Sequence, residues 1–139
     1  MKTLKILLPT LLLSSVAFCK SNIRVGDTTK NTPVAVVQRQ VDAYNARDIN
    51  SFSDTYADSV VFYNFPDKYL GRGKEFIKKG YTDLFLHYPK LHCNIVERII
   101  QGNTVIDKEN VIVTDTRHID AVAIYQVENG KIVKVFFLK

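Results

Sequence analysis

The stretch VVQRQVDAYNARD, residues 36–48, decides how the chain is read. Val37, Val41 and Tyr44, with Val34 before them, recur at helical spacing and lay one apolar stripe along a helix. Thr32 and Pro33 stand ahead of it as a capping residue and a proline at the first helical position. On the helical wheel Gln40 falls about 40° from Tyr44 at about 100° per residue. It therefore borders the buried face, and an amide at the edge of a core needs hydrogen-bond partners or a cavity. The pattern fades at Asn45-Ala46-Arg47, and Asp48 caps a second short helix expected to run to about Tyr56.

Downstream, SVVFYNFP (59–66) is β-branched and aromatic and predicts a strand ended by Pro66. Val60, Phe62 and Asn64 share one of its faces, Val61, Tyr63 and Phe65 the other. Gly71 and Gly73 predict a turn. Lys74 to His87 predicts a third helix, with Phe76, Ile77, Tyr81, Leu84 and Phe85 on one side. From Leu91 the period changes to two. LHCNIVERII and TVIDKENVIVTD flank a Gly102-Asn103 turn, and HIDAVAIYQV and KIVKVFFL flank Asn129-Gly130, which predicts two hairpins. Helix, helix, strand, helix and four antiparallel strands make an α+β fold, with the three helices packed on one face of a curved antiparallel sheet.

Upstream, Lys2 and Lys5 precede an apolar run from Ile6 to Phe18, too short to span a bilayer, which needs about 20 residues. Small residues Ser15 and Ala17 follow its centre, so residues 1–19 read as a signal peptide and 20–32 as a polar linker. The chain is expected to be exported, periplasmic or extracellular. Val16-Ala17-Phe18-Cys19 is similar to a lipobox, with Phe18 where Gly, Ala or Ser is usual. A membrane partner is expected only if Cys19 is lipidated. Cys93, the other cysteine, then reads as a small core hydrophobe.

The 139 residues suffice for one compact domain, and 46% hydrophobic and 11% aromatic residues suffice for a core. The formal charge of +5 drops to +3 when Lys2 and Lys5 leave with the leader. That mild excess forms no clustered basic stripe, so nucleic acid is not an expected partner.

VVQRQVDAYNARD, YADSVVFYNFP, GRGKEF and VAIYQVENGKIVKVFF, in this order, resemble the nuclear transport factor 2-like superfamily in its SnoaL-like and ketosteroid-isomerase-like branch. The resemblance spans residues 33–139. It implies a cone whose sheet wraps around the helices and leaves a pocket at the open end, and pairing into homodimers through the sheet. Related isomerases keep an oxyanion tyrosine where Gln40 stands and a carboxylate base where Asn64 stands. Their second oxyanion donor aligns with Val122, two residues from Asp120 on the same strand face. An amide cannot take up the α-proton of a ketone at neutral pH, so that isomerase chemistry is not expected. The epoxide-hydrolase-like branch carries Tyr-x-Asn-x-Pro, matched here by Asn64 and Pro66 but not by Phe62. Its Arg-x-Asp pair aligns with Asn110 and Ile112, which supply no water-activating carboxylate.

Other residues carry candidate chemistry. His118 and Asp120 alternate on one strand face and could serve as a base and its orienter. Asp107 and Glu109 also share a face and could do acid–base work if burial raised one pKa; with Lys108 and Lys131 near, they read first as solvated surface charges. His87 and His92 flank a proline loop without further ligands, so no metal site is expected. No Gly-rich phosphate loop, zinc spacing or nucleophile elbow is present, and no cofactor is expected. The function expected is binding of a small, largely apolar organic molecule in a pocket formed by Gln40, Tyr44, Phe62, Asn64, Asn110 and Val122. An enzyme working through His118 and Asp120, and an interaction module with a vestigial pocket, stay open beside it.

Overall fold

A computed structural model describes residues 28–138. The expected signal peptide and most of the linker lie outside the described residues; the linker's end, Thr28–Asn31, forms a 3-10 helix. Helix α1 (Pro33–Ala46) begins where the sequence places it, with the Thr32 side chain accepting from the Ala35 amide at 3.3 Å. It ends at Arg47 in the left-handed region, φ 55°. Its buried face holds Val36, Val37, Val41, Ala43 and Tyr44 and takes in Gln40 as well. Asp48 caps α2 (Ile49–Asp54), accepting from the amides of Asn50 and Ser51, each at 3.1 Å. Its replacement by alanine is expected to lower the midpoint of chemical denaturation, because two helix-end amides lose their acceptor.

The second helix stops short of Tyr56 because the chain there is already in the sheet. The Ile132 amide donates to the Thr55 carbonyl at 2.9 Å, and Tyr56 opposite Ile132 opens β1 (Tyr56–Asn64). The expected turn around Gly71 is instead a short strand, β2 (Lys68–Arg72), antiparallel to β1. Glycine is required there by close approach. A Cβ at position 71 would stand 2.2 Å from the Phe76 ring, which lies 5.4 Å from that of Phe62. Helix α3 (Lys74–His87) buries Ile77 and Phe85, while Phe76 stays partly exposed over Gly71.

Four strands follow: β3 (His92–Gln101), β4 (Thr104–Thr114), β5 (Arg117–Glu128) and β6 (Lys131–Leu138). The single sheet runs β2-β1-β6-β5-β4-β3, antiparallel except where β1 and β6 run parallel. Register shifts interrupt β1, β3, β4 and β5. Such bulges bend strands, and the sheet curves over the helices without closing. Along β4 the odd residues Val105, Asp107 and Val113 are buried, and along β5 Ala123, Tyr125 and Val127. These odd positions form the concave face.

Between that face and the helices sits the core, with Phe52, Val36, Val37, Val60 and Ile132 fully buried. Phe52 meets Tyr81 at 4.8 Å, Tyr56 at 5.4 Å and Phe85 at 5.6 Å. The end of α1 is pinned to β3 by side chains. The Cys93 amide donates to Asn45 Oδ1 at 2.7 Å, and Asn45 Nδ2 returns a bond to the Cys93 carbonyl at 3.1 Å.

Candidate functional site

The concave face holds two carboxylates, and the structure corrects their expected reading as solvated surface charges. Asp107 is completely buried. Arg98, across from it on β3, donates from Nε to Oδ1 at 2.6 Å and from Nη2 to Oδ2 at 2.7 Å. Arg98 Nη1 reaches on to Gln38 of α1 at 2.8 Å, and Gln38 donates to Asp42 at 2.8 Å. This two-pronged pair compensates the charge of Asp107 and ties sheet to helix.

Two residues on, Glu109 faces a cavity of about 290 Å³ between α1, α3 and the sheet. Gln40 and Tyr44 enter it from α1, Tyr81 from α3, Tyr56 from β1 and Tyr125 from β5. Val41, Leu84 and Val111 complete its apolar wall, and Ile119, 37% exposed, stands at its solvent side.

The electrostatics follow from burial. Removal from water pushes the Glu109 carboxyl up to about 7 from 4.5. The Tyr125 hydroxyl, donating to Oε1 at 3.0 Å, opposes that rise. The nearby Asp107 carboxylate adds to it, and Arg98 subtracts. Burial also raises the hydroxyls of Tyr44, Tyr56, Tyr81 and Tyr125, so all four are neutral donors near pH 7. The Cys93 thiol, on the cavity wall, is pushed up to about 12 by burial and is no thiolate nucleophile. Gln40, 6% exposed, leaves its Oε1 without a hydrogen-bond partner among the described residues.

Of the expected pocket residues, the structure brings Gln40 and Tyr44 to this cavity. Phe62 is buried in the core, stacked parallel to Phe137 at 6.5 Å. Asn64 lines a separate depression with Phe65, Phe137 and Leu138. Phe137 borders both spaces, so the two amides expected to share a pocket are parted by a ring from the last strand. Strand parity places Asn110, Val122, His118 and Asp120 off this cavity. Ile119 and Tyr125 point into the cavity, so the even positions of β5 point away from it. Asp120 there accepts from Asn110 Nδ2 across the strands at 2.8 Å, and His118 is exposed.

Tyr56, Tyr81 and Tyr125 are not among the residues the sequence singles out for the site, and Glu109 is singled out but read first as solvated. A signal existed: Asp107 and Glu109 interrupt an alternating run of valines, Val105, Val111 and Val113, which marks the buried face of β4.

The family model of the SnoaL-like domain matches residues 37–135. An uncharacterized cystatin fold protein from Novosphingobium aromaticivorans is similar at 25% identity and TM-score 0.70, over 78% of this chain and 98% of that one. A SnoaL-like protein of unknown function from Burkholderia thailandensis aligns at 18% identity and TM-score 0.61, over 73% and 88%. An LEH-like epoxide hydrolase of M. tuberculosis aligns at 14% identity and TM-score 0.62, over 76% and 80%. The last two likenesses concern the fold alone. No curated protein sequence matches.

Proposed function

Because the chain belongs to the SnoaL-like domain family, we propose that it binds a small, largely apolar organic molecule in the cavity around Glu109. The observation that carries this is the cavity itself: about 290 Å³, walled by tyrosines and aliphatic side chains, with a few polar atoms gathered at Gln40, Glu109 and Tyr125. Ligand sites have this composition, an apolar wall with few convergent polar groups. Indole, an apolar ring with one N–H donor, is a suitable probe. In a protein NMR titration it is expected to shift the methyl signals of Val41, Leu84 and Val111 saturably, and Ile119→Trp, which fills the solvent side, is expected to abolish the shifts. Shifts confined to other surfaces, or shifts unchanged by Ile119→Trp, would remove the proposal.

Glu109 favours a second activity, that of an enzyme. A carboxyl pushed up to about 7 inside a cavity is matched to proton transfer at neutral pH. Glu109 takes the place of the dyad His118–Asp120 in this alternative, since those two face away. The reaction would be a proton transfer on the bound molecule, its rate rising with pH through about 7 if Glu109 is the base.

The exported location read from residues 1–19 and pairing through the sheet belong to the same proposal. Val96, Ile99 and Ile100 on the edge strand β3 are half exposed or more, which supports pairing. Sedimentation is expected to give the mass of two chains, and a monomer at high concentration would contradict it.

A further inference from the structure

The polar atoms of the cavity differ in what they still require. The Tyr125 hydroxyl spends its proton on Glu109. Gln40 is hydrogen-bonded with Tyr56, and its Oε1, a buried acceptor, has no partner among the described residues. A buried acceptor left unpaired is costly, and a native structure keeps one where something else supplies the donor. Glu109, when ionised, is also acceptor only. The remaining wall is largely aromatic, with Tyr44, Tyr56, Tyr81 and Phe137 around these two groups. Aromatic rings attract cations over their faces, most strongly away from water.

We infer that the molecule bound here carries a protonated amine on an apolar body, the ammonium donating to Gln40 Oε1 and to the Glu109 carboxylate among the tyrosine rings. This rests on the proposed binding role and names the ligand class. An ammonium offers three donors and one positive charge. A neutral alcohol offers one donor and no charge, so it can answer Gln40 but leaves the ionised Glu109 uncompensated. An anionic ligand would meet Glu109 as a like charge.

Binding is then linked to the charge of Glu109. The groups facing it are Tyr44 from α1, Tyr56 from β1, Tyr81 from α3, and Cys93 and Arg98 from β3. Asp107 lies beside it on β4, and Tyr125 reaches it from β5. The tyrosines and Cys93 titrate far above neutrality. Arg98 and Asp107 are locked to each other. Glu109, pushed up to about 7, changes charge between about pH 6 and 8. Ammonium affinity therefore rises across that window as the carboxylate forms, until the amine loses its own proton.

Calorimetry on the full chain with benzylamine, benzyl alcohol and toluene tests this. At about pH 8 benzylamine is expected to bind about tenfold tighter than benzyl alcohol, a difference of about 1.4 kcal/mol. The advantage is expected to shrink at about pH 6 and to vanish in Glu109→Gln, with thermal melting checking that the variant folds. Gln40→Met, keeping length and losing the acceptor, is expected to weaken benzylamine more than it weakens toluene. If benzyl alcohol or toluene binds as tightly as benzylamine in the unaltered protein, the amine inference fails while the binding cavity stands. If none of the three binds, both fail.

Discussion

Asp107→Ala is expected to destabilise the fold by about 3–5 kcal/mol, read as a lowered midpoint in chemical denaturation. The reason is what it leaves behind. Arg98, only 15% exposed along its side chain, loses both partners of its Nε and Nη2 donors and stays charged next to the core. Marginal stabilities of about 5–15 kcal/mol make this a large fraction of the whole. The loss measures the stranded charge and not the net worth of the pair. Replacing both partners, Arg98→Met with Asp107→Leu, is therefore expected to restore most of the stability, because an apolar pair of similar volume has no charge to desolvate. A single variant that costs under ~1 kcal/mol would instead show an ion pair behaving like one in open water.

Glu109→Gln is expected to act in the opposite direction. The folded carboxyl sits at about 7 against an ordinary 4.5, so folding favours its protonated form. Stability from this group is fully present below about 4.5 and is lost as pH rises through about 7. At about 1.36 kcal/mol per unit the penalty approaches ~3 kcal/mol above neutrality. The glutamine variant escapes it. It should be as stable as the unaltered protein at about pH 4 and more stable at about pH 8, by ~3 kcal/mol at most. Its amide oxygen can still accept from Tyr125. The same substitution removes the cavity's ionisable acceptor, so preference for a cationic ligand, or a proton-transfer activity, should go with it. A site that costs stability at neutral pH is the expected signature of a functional carboxylate placed where solvation alone would not keep it. Equal stability of the two proteins across this range would place Glu109 in water.

The parts of this arrangement that were legible in the sequence are those governed by local period. VVQRQVDAYNARD gave α1, its proline start and the half-inward Gln40, because 3.6-residue spacing is a local property. The hairpins at Gly102-Asn103 and Asn129-Gly130 were legible through their turn residues. Strand β2 was not, because Gly71 is there for the close approach of Phe76, a contact made across three elements that looks like a turn signal along the chain. The separation of Gln40 from Asn64 depends on Phe137 arriving from the last strand, which no local pattern encodes. For β4 the alternation placed Asp107 and Glu109 on one face correctly, but lysines at neighbouring positions suggested water. Arg98, nine residues earlier and across a turn, was the missing partner. On β5 the apolar set Ile119, Ala121, Ala123, Tyr125 and Val127 already identified the inward face, and His118 and Asp120 alternate out of it.

The claim on which the rest depends is that Glu109 is a carboxyl held in a tyrosine-walled cavity away from bulk water. Following its side-chain carboxyl carbon by NMR as a function of pH measures this directly. A midpoint at about 7 is predicted; a midpoint in the ordinary carboxylate range near 4.5 would contradict it.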